Sequence, residues 1–501
     1  MSVSISSFNV LETTIDDIHA AYKSGRLTAR QLVELYVDRI ERYDKKGPAI
    51  NAVITMNGKA LGEADRLDAA FRASGLGGPL HGIPVIVKDQ ADTRGMPTTL
   101  GSLLFENYYP DRDAFVVEKL RKAGAIILAK ATLGELGGGD THGSLFGSTR
   151  NPYALDRTAG GSSGGSAASV SANFATVAVG QEGLASIRRP STWNCIVGMR
   201  PTAGLVSRSG VYDGWPEVNG SLGPMARTVR DLAILLDVMA GYDPDDPVTA
   251  RGFGHIPKTF TDFLDKDGLK GTRLGILREP IGLGSEPDSE DFKKVTEVFD
   301  RAVRELQSAG AEVIDPIVIP RLKELLARRA GSPTGGDESF HVYFGRSARS
   351  PFTSREEATK SPDFSRVNRN SQARWKRSSD PTQHYESLTA QDELMTHVLK
   401  VMADHRLHAI VHKTIEHQPT LINDGVKPPY VDTKGAPHLN TFLVFVPTIT
   451  VPAGFTRDDL PAGLCFLGRP YDDGPMIRLA YAYEQATHHR RPPASTMSLS
   501  A

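Results

Sequence analysis

Short runs that are apolar almost without interruption constrain this chain more than any other feature. Ile83 to Val87, Thr176 to Gly180, Leu274 to Leu277, Ala409 to Val411 and Phe442 to Val451 all read this way. A strand with one face in water alternates apolar and polar residues, whereas a strand covered on both faces does not. Two segments supply the cover in the right order. Ala114 to Ala123 is an amphipathic helix stopped by Gly124, and the apolar Ile126 to Ala129 follows. Phe292 to Ala309 repeats the plan, with Gly310 as the stop and Glu312 to Ile314 as the strand. Helix, glycine and buried strand in succession predict an α/β sheet protein. Residues 1 to about 45 read as helical. There Thr28 and Gln31 have the form of a capping box, and Leu32, Leu35, Tyr36 and Ile40 mark one apolar face.

The chain has 501 residues, 40% hydrophobic and 23% charged, enough to build a large core. Its net charge of −1 argues against a general nucleic-acid or membrane surface, which would need a basic excess. Two cysteines, Cys195 and Cys465, in so long a chain read as reduced core residues of a cytoplasmic protein. No apolar stretch reaches the ~18 residues of a membrane span, and Met1 to Val10 has no basic or apolar leader pattern. Gly331 to Thr382 is rich in Ser, Arg, Pro and Asn and poor in aliphatic residues. It is expected to be a solvated insertion or mobile loop, or a lid over the active site.

Three residues carry the chemistry. Lys88 closes the strand in His81-Gly-Ile-Pro-Val-Ile-Val-Lys88-Asp89. Ser162 lies in Gly160-Gly-Ser-Ser-Gly-Gly-Ser166, and Ser186 in Glu182-Gly-Leu-Ala-Ser-Ile-Arg-Arg-Pro190. A serine attacks only when a base takes its proton. No histidine occupies a recognisable triad setting, so the lysine is the candidate base. Such a lysine must be neutral, and burial after an apolar strand disfavours the charged form. The bland alternative is a lysine salt-bridged beside Asp89.

The serine-bearing segments admit other readings. Gly161-Ser162-Ser163-Gly164-Gly165 formally matches a nucleophile elbow and would nominate Ser163. No Asp and His follow in suitable settings. The glycine run is not a phosphate loop, because the closing Gly-Lys-Ser/Thr is missing. Arg188 is expected to pair with Glu182 in the scaffold. Asp140 and His142, after Gly137-Gly138-Gly139, could suggest a metal pair, but a loop lining the pocket is preferred, and no metal is expected. Tyr212 and Trp215 are further pocket candidates.

These residues sit within a longer series of blocks. His81-Gly-Ile-Pro through Lys88-Asp89 is followed by Met96-Pro-Thr-Thr99 and by Thr149-Arg-Asn-Pro152 leading into the glycine run. Ser186-Ile-Arg188, Gly198-Met-Arg-Pro-Thr202, Gly223-Pro-Met-Ala-Arg-Thr228, Thr448-Ile-Thr-Val-Pro452 and Gly468-Arg-Pro470 complete it. In this order the chain resembles the amidase signature hydrolases over nearly its whole length. The resemblance implies one domain spanning 1–501, with a large mixed β-sheet sandwiched between helices. It puts the catalytic lysine on Lys88, a bridging serine held by a cis peptide on Ser162, and the nucleophile on Ser186. It puts the oxyanion hole on the backbone N–H groups of Gly183, Leu184, Ala185 and Ser186.

The activity implied is acyl-enzyme hydrolysis of a small-molecule amide without a cofactor, by a monomer or homodimer. Carbamates (urethanes), aryl amides and esters are alternative substrates. A reading of another class is the glutaminase subunit of a tRNA-dependent amidotransferase. Two positions depart from the family pattern. Leu184-Ala185 stands where two glycines are usual, and Gly220 where an Asp is usual.

Overall fold

The computed structural model describes residues 8–212, 220–378, 380–437, 439, 443 and 445–497. Local signals near the N-terminus act as their chemistry requires. Thr28 Oγ1 accepts from the Gln31 N–H at 3.1 Å, and Gln31 Oε1 accepts from the Thr28 N–H at 3.0 Å. The box opens the helix Ala29–Arg39, which buries Leu32, Val33 and Tyr36. A second box, Thr14 with Asp17, opens Ile15–Lys23.

Eleven strands form one sheet. In chain order they are β1 (Val53–Met56), β2 (Pro84–Lys88), β3 (Ile126–Ala131), β4 (Val177–Glu182), β5 (Val197–Arg200) and β6 (Ser221–Ala226). They continue with β7 (Arg273–Leu277), β8 (Glu312–Ile317), β9 (Ala409–Lys413), β10 (Thr448–Phe455) and β11 (Pro461–Leu467). Their order across the sheet is β1-β3-β2-β4-β6-β5-β10-β11-β9-β7-β8. The pairs β3–β2, β2–β4, β9–β7 and β7–β8 are parallel and the others antiparallel, so the sheet is mixed. Every residue of β2, β3 and β4 is buried, which is why those strands do not alternate. The helices Phe115–Lys122 and Glu290–Ser308 fall within a residue or two of their expected bounds.

The described part of the last apolar run joins the sheet at Thr448, where β10 begins, and Phe442 lies outside the described residues. Pro447 precedes β10, and a proline has no N–H to give a ladder. The segment 331–382 carries helices among its described residues. They are Gly335–Phe344, Arg355–Lys360 and Arg369–Lys376, and Pro381–Asp404 starts inside the segment.

The segment's core is aromatic, and a count of aliphatic residues misses it. Phe340, Tyr343, Phe344, Phe364 and Trp375 pack on Leu100, Leu104, Phe105, Tyr108 and Tyr212 as a cluster separate from the main core. The rings of Phe105 and Phe344 stack with centroids 4.9 Å apart. Cys195 and Cys465 are buried and free. No helix among the described residues is long and apolar enough to cross a membrane.

The aromatic cluster gives a direct test. Trp375→Ala should cost about 3–5 kcal/mol, taken mostly from the attachment of this segment. Limited proteolysis should then cut between 331 and 382 much faster than in the parent protein. Equal cutting rates would mean that Trp375 does not hold the segment down.

Candidate active site

β2 and β4 run side by side and parallel, so Lys88 and Glu182 close neighbouring strands at the same edge of the sheet. In α/β sheets this carboxyl edge is where sites form. The helix Gly164–Ser171 lies fully buried against those strands, and the turn before it carries Ser162. Lys88 is only 1% exposed. Its Nζ donates to Ser162 Oγ at 2.7 Å and to the Gln181 carbonyl at 3.3 Å. The Gly161–Ser162 peptide bond is cis. A Cβ on Gly161 would collide with the Gly139 carbonyl oxygen, so the glycine is needed for close backbone approach. The Gly137–Gly139 loop is thereby packed directly against the turn that bears Ser162.

Asp89 does not pair with Lys88. Its carboxylate accepts from the Thr99 N–H at 3.0 Å and meets Lys130 Nζ at 2.9 Å, both ionic side chains being fully buried. Ser163 is tied into the scaffold. Its hydroxyl donates to the Gln181 carbonyl at 3.1 Å and accepts from the Gln181 N–H at 3.2 Å. Its own N–H donates to the Ser186 carbonyl at 3.0 Å, which joins the two serine segments.

The loop after β4 is organised by one carboxylate. Glu182 Oε2 accepts from the N–H groups of Ile187 and Arg188 at 2.9 and 3.0 Å. Glu182 Oε1 accepts from Arg188 Nε at 2.7 Å, with both side chains fully buried. Arg188 Nη2 then donates to the Leu184 carbonyl at 2.9 Å. Glu182 and Arg188 thus hold both ends of the 183–187 turn.

Among the described residues, the N–H groups of Gly183, Leu184, Ala185 and Ser186 donate no hydrogen bond. The Ser186 hydroxyl is likewise uncommitted, and the residue is half-buried. Neither Leu184 nor Ala185 has a positive φ, so a side chain there meets no left-handed strain. Gly220 also has a local reason: a Cβ on it would collide with the Glu182 carbonyl oxygen.

Of the remaining pocket candidates, Asp140 lies closest to this machinery. It is in ion contact with buried Arg189, whose Nε donates to the Gly161 carbonyl at 3.3 Å. The Asp140 N–H donates to Asp432 Oδ1 at 2.7 Å, and Asp432 Oδ2 faces Arg374 Nη1 at 3.2 Å. Arg374 Nη2 donates to the Gly138 carbonyl at 2.6 Å, tying the 331–382 segment to the glycine loop. Burial raises the Asp140 carboxyl above its ordinary range, opposed by Arg189 and helped by Asp432. Burial also lowers the His142 imidazole to about 4.

Asp140 and His142 belong to no group of three metal-binding side chains among the described residues. The ring of Tyr212 packs 5.5 Å from Tyr343 inside the aromatic cluster. Trp215 lies outside the described residues. Sequence reasoning missed Arg189, Arg374, Asp432 and Lys130. The first three come from distant segments and meet only through the fold, so no spacing could mark them.

The Amidase family profile matches residues 31–477. The chain belongs to the amidase signature family. A probable amidase of Arabidopsis thaliana is 33% identical to it, over 97% of this chain and 92% of that protein. A glutamyl-tRNA(Gln) amidotransferase subunit of Methanosarcina mazei is 32% identical, over 93% and 96%. The native peptide amidase of Stenotrophomonas maltophilia superposes with a TM-score of 0.83 at 32% identity, covering 96% of this chain and 98% of that one. As a member of this family, the protein is a hydrolase of C–N bonds.

The Glu182–Arg188 pair can be tested directly. Glu182→Ala leaves Arg188 as a buried, unmatched cation, which should cost about 3–5 kcal/mol. The expected readout is a clearly lower denaturant midpoint. An unchanged midpoint would show that the turn does not depend on this pair.

Proposed function

We propose that this protein cleaves the C–N bond of a small-molecule amide through an acyl-enzyme on Ser186. Neutral Lys88 takes a proton from Ser162, and Ser162 takes one from Ser186 as Ser186 attacks the carbonyl carbon. The backbone N–H groups of Gly183, Leu184, Ala185 and Ser186 receive the oxyanion, each good donor being worth roughly 3–4 kcal/mol. Ser162 hands a proton to the leaving nitrogen, and water then releases the acyl group. The observation that carries this reading is the 2.7 Å contact between buried Lys88 Nζ and Ser162 Oγ. The four uncommitted N–H groups around Ser186 support it. Ser163 is a poor nucleophile candidate, since its hydroxyl is spent on Gln181.

The same acyl-enzyme route accepts carbamates, aryl amides and esters, so these are the alternative substrates. The similarity to a peptide amidase adds peptide amides to the panel. We place the protein in the cytoplasm as a monomer or homodimer, a placement that two free cysteines support. The second functional reading, a glutaminase subunit, draws on the 32% identity to the Methanosarcina mazei protein. Turnover of simple amides by the isolated chain favours the first reading. Ammonia release from glutamine only with a co-purified partner favours the second.

A sulfonyl fluoride or phosphonate probe should add covalently to Ser186. Ser186→Ala should abolish the adduct, and Ser163→Ala should retain substantial turnover. Peptide mapping of the adduct to Ser163 would falsify the assignment. Lys88→Ala should lose orders of magnitude in kcat/KM. Lys88→Arg should not rescue it, because a guanidinium stays protonated. Turnover of Lys88→Arg near that of the parent would remove Lys88 from the base role.

Leu184 offers a test of specificity. If its side chain narrows the acyl or leaving-group pocket, Leu184→Gly should shift preference toward bulkier substrates. One methylene in an apolar pocket is worth roughly 1–3 kcal/mol of discrimination. The measurement is the ratio of kcat/KM for a large and a small acyl substrate in both proteins. An unchanged ratio would assign Leu184 to packing alone.

A further inference from the structure

A cavity of about 460 Å³ lies at the seam between the helix Gly335–Phe344 and the loop 208–211. None of Lys88, Ser162 and Ser186 lines it. Three arginines reach it, and they are not equivalent. Arg208 is spent, since its Nε and Nη2 hold the two oxygens of Asp246 at 3.0 and 2.7 Å. Arg112 faces Asp245 at 3.7 Å from an exposed position. Arg346 is half-buried, and among the described residues its guanidinium makes no direct ion contact or hydrogen bond, although its charge is felt by the Asp92 carboxylate. It lies across Gly210, where a Cβ would sit 3.0 Å from Arg346 Nη1. The nearby Asp92 carboxylate is engaged by the Tyr343 hydroxyl, at 2.5 Å.

A second polar group at this cavity also lacks a hydrogen-bond partner among the described residues. Ser209 Oγ is buried without a hydrogen bond. Buried hydroxyls are normally satisfied, so an unsatisfied one on the same cavity as a guanidinium without a direct ion contact calls for an acceptor. Val211 and Val342 give the same cavity an apolar wall. Its volume falls within the roughly 300–1,000 Å³ range of small-molecule sites.

We propose that this cavity is a second ligand site, distinct from the Ser186 site, which takes a small organic carboxylate. The carboxylate accepts the planar fork of Arg346 and the hydroxyl of Ser209, and its apolar body lies on Val211 and Val342. The planar guanidinium matches a carboxylate bidentately. A phosphate dianion fits less well, because only one of the three arginines lacks a direct ion contact and part of the wall is apolar. A cationic ligand has no place, because Asp245 and Asp246 already face arginines.

Calorimetric titration of the full-length protein with benzoate, benzamide and inorganic phosphate tests this. Benzoate should bind at least ~10-fold tighter than the other two, as expected for a charge-assisted contact. Arg346→Gln should weaken benzoate by ~10-fold or more while amide turnover stays unchanged. Arg346→Lys should be intermediate. Val342→Asp, a change at an exposed position, should also repel benzoate and serves if Arg346→Gln folds poorly. Hydrogen exchange should slow at 208–211 when benzoate binds. Unchanged benzoate affinity in Arg346→Gln or in Val342→Asp would overturn the proposal. So would benzamide binding equal to benzoate, tighter binding of phosphate, or no binding of benzoate.

Discussion

The candidate site depends on a lysine buried at the end of a strand with a serine hydroxyl 2.7 Å from its nitrogen. The carboxylate next to it in the chain is not its counter-ion, because Asp89 is committed to Lys130 and Thr99. That separation matters physically. A carboxylate in contact favours the charged form of a lysine, and burial disfavours it. The rest of the arrangement serves this contact. The sheet carries Lys88 and Glu182 to the same edge, and the glycine-rich turn brings Ser162 onto Nζ.

Burial on this scale is tolerated because the charges around the site are matched. Glu182 and Arg188 neutralise each other and between them hold the turn that bears Ser186. Asp140 and Arg189 do the same beside the Gly161 peptide. Neither pair is evidence of extra stability, since burying two ions costs about what their attraction returns. What such a pair can secure is geometry. A turn with four uncommitted N–H groups keeps its shape only if something else fixes it, and here a carboxylate and a guanidinium do so.

Much of this was legible in the sequence because it depends on local rules. Uninterrupted apolar runs mark strands buried on both faces, and β2, β3 and β4 are buried throughout. The Thr28 box is a four-residue signal and forms as read. The pairing of Arg188 with Glu182, six positions apart, was also expected, since a short turn suffices to bring them together. The aromatic core of the 331–382 segment was not legible, because it is built from a few rings spread among polar residues. Each ring buries a large area, so a segment poor in Leu, Ile and Val can still fold onto its neighbours.

By itself, then, the sequence determined the buried-sheet architecture, the three candidate chemical residues and the local pairing around Ser186. These rest on interactions between near neighbours in the chain or on composition along one element. Only the tertiary structure decided that Asp89 belongs to Lys130, that Ser163 is a staple on Gln181, and that Arg374 and Asp432 support the Gly137–Asp140 loop. Only it placed Arg346 and a buried, unsatisfied Ser209 hydroxyl on one cavity. These contacts join residues from tens to hundreds of positions apart. Which partner a buried polar group finds at that separation is fixed by how helices and strands pack, and no spacing along the chain records it.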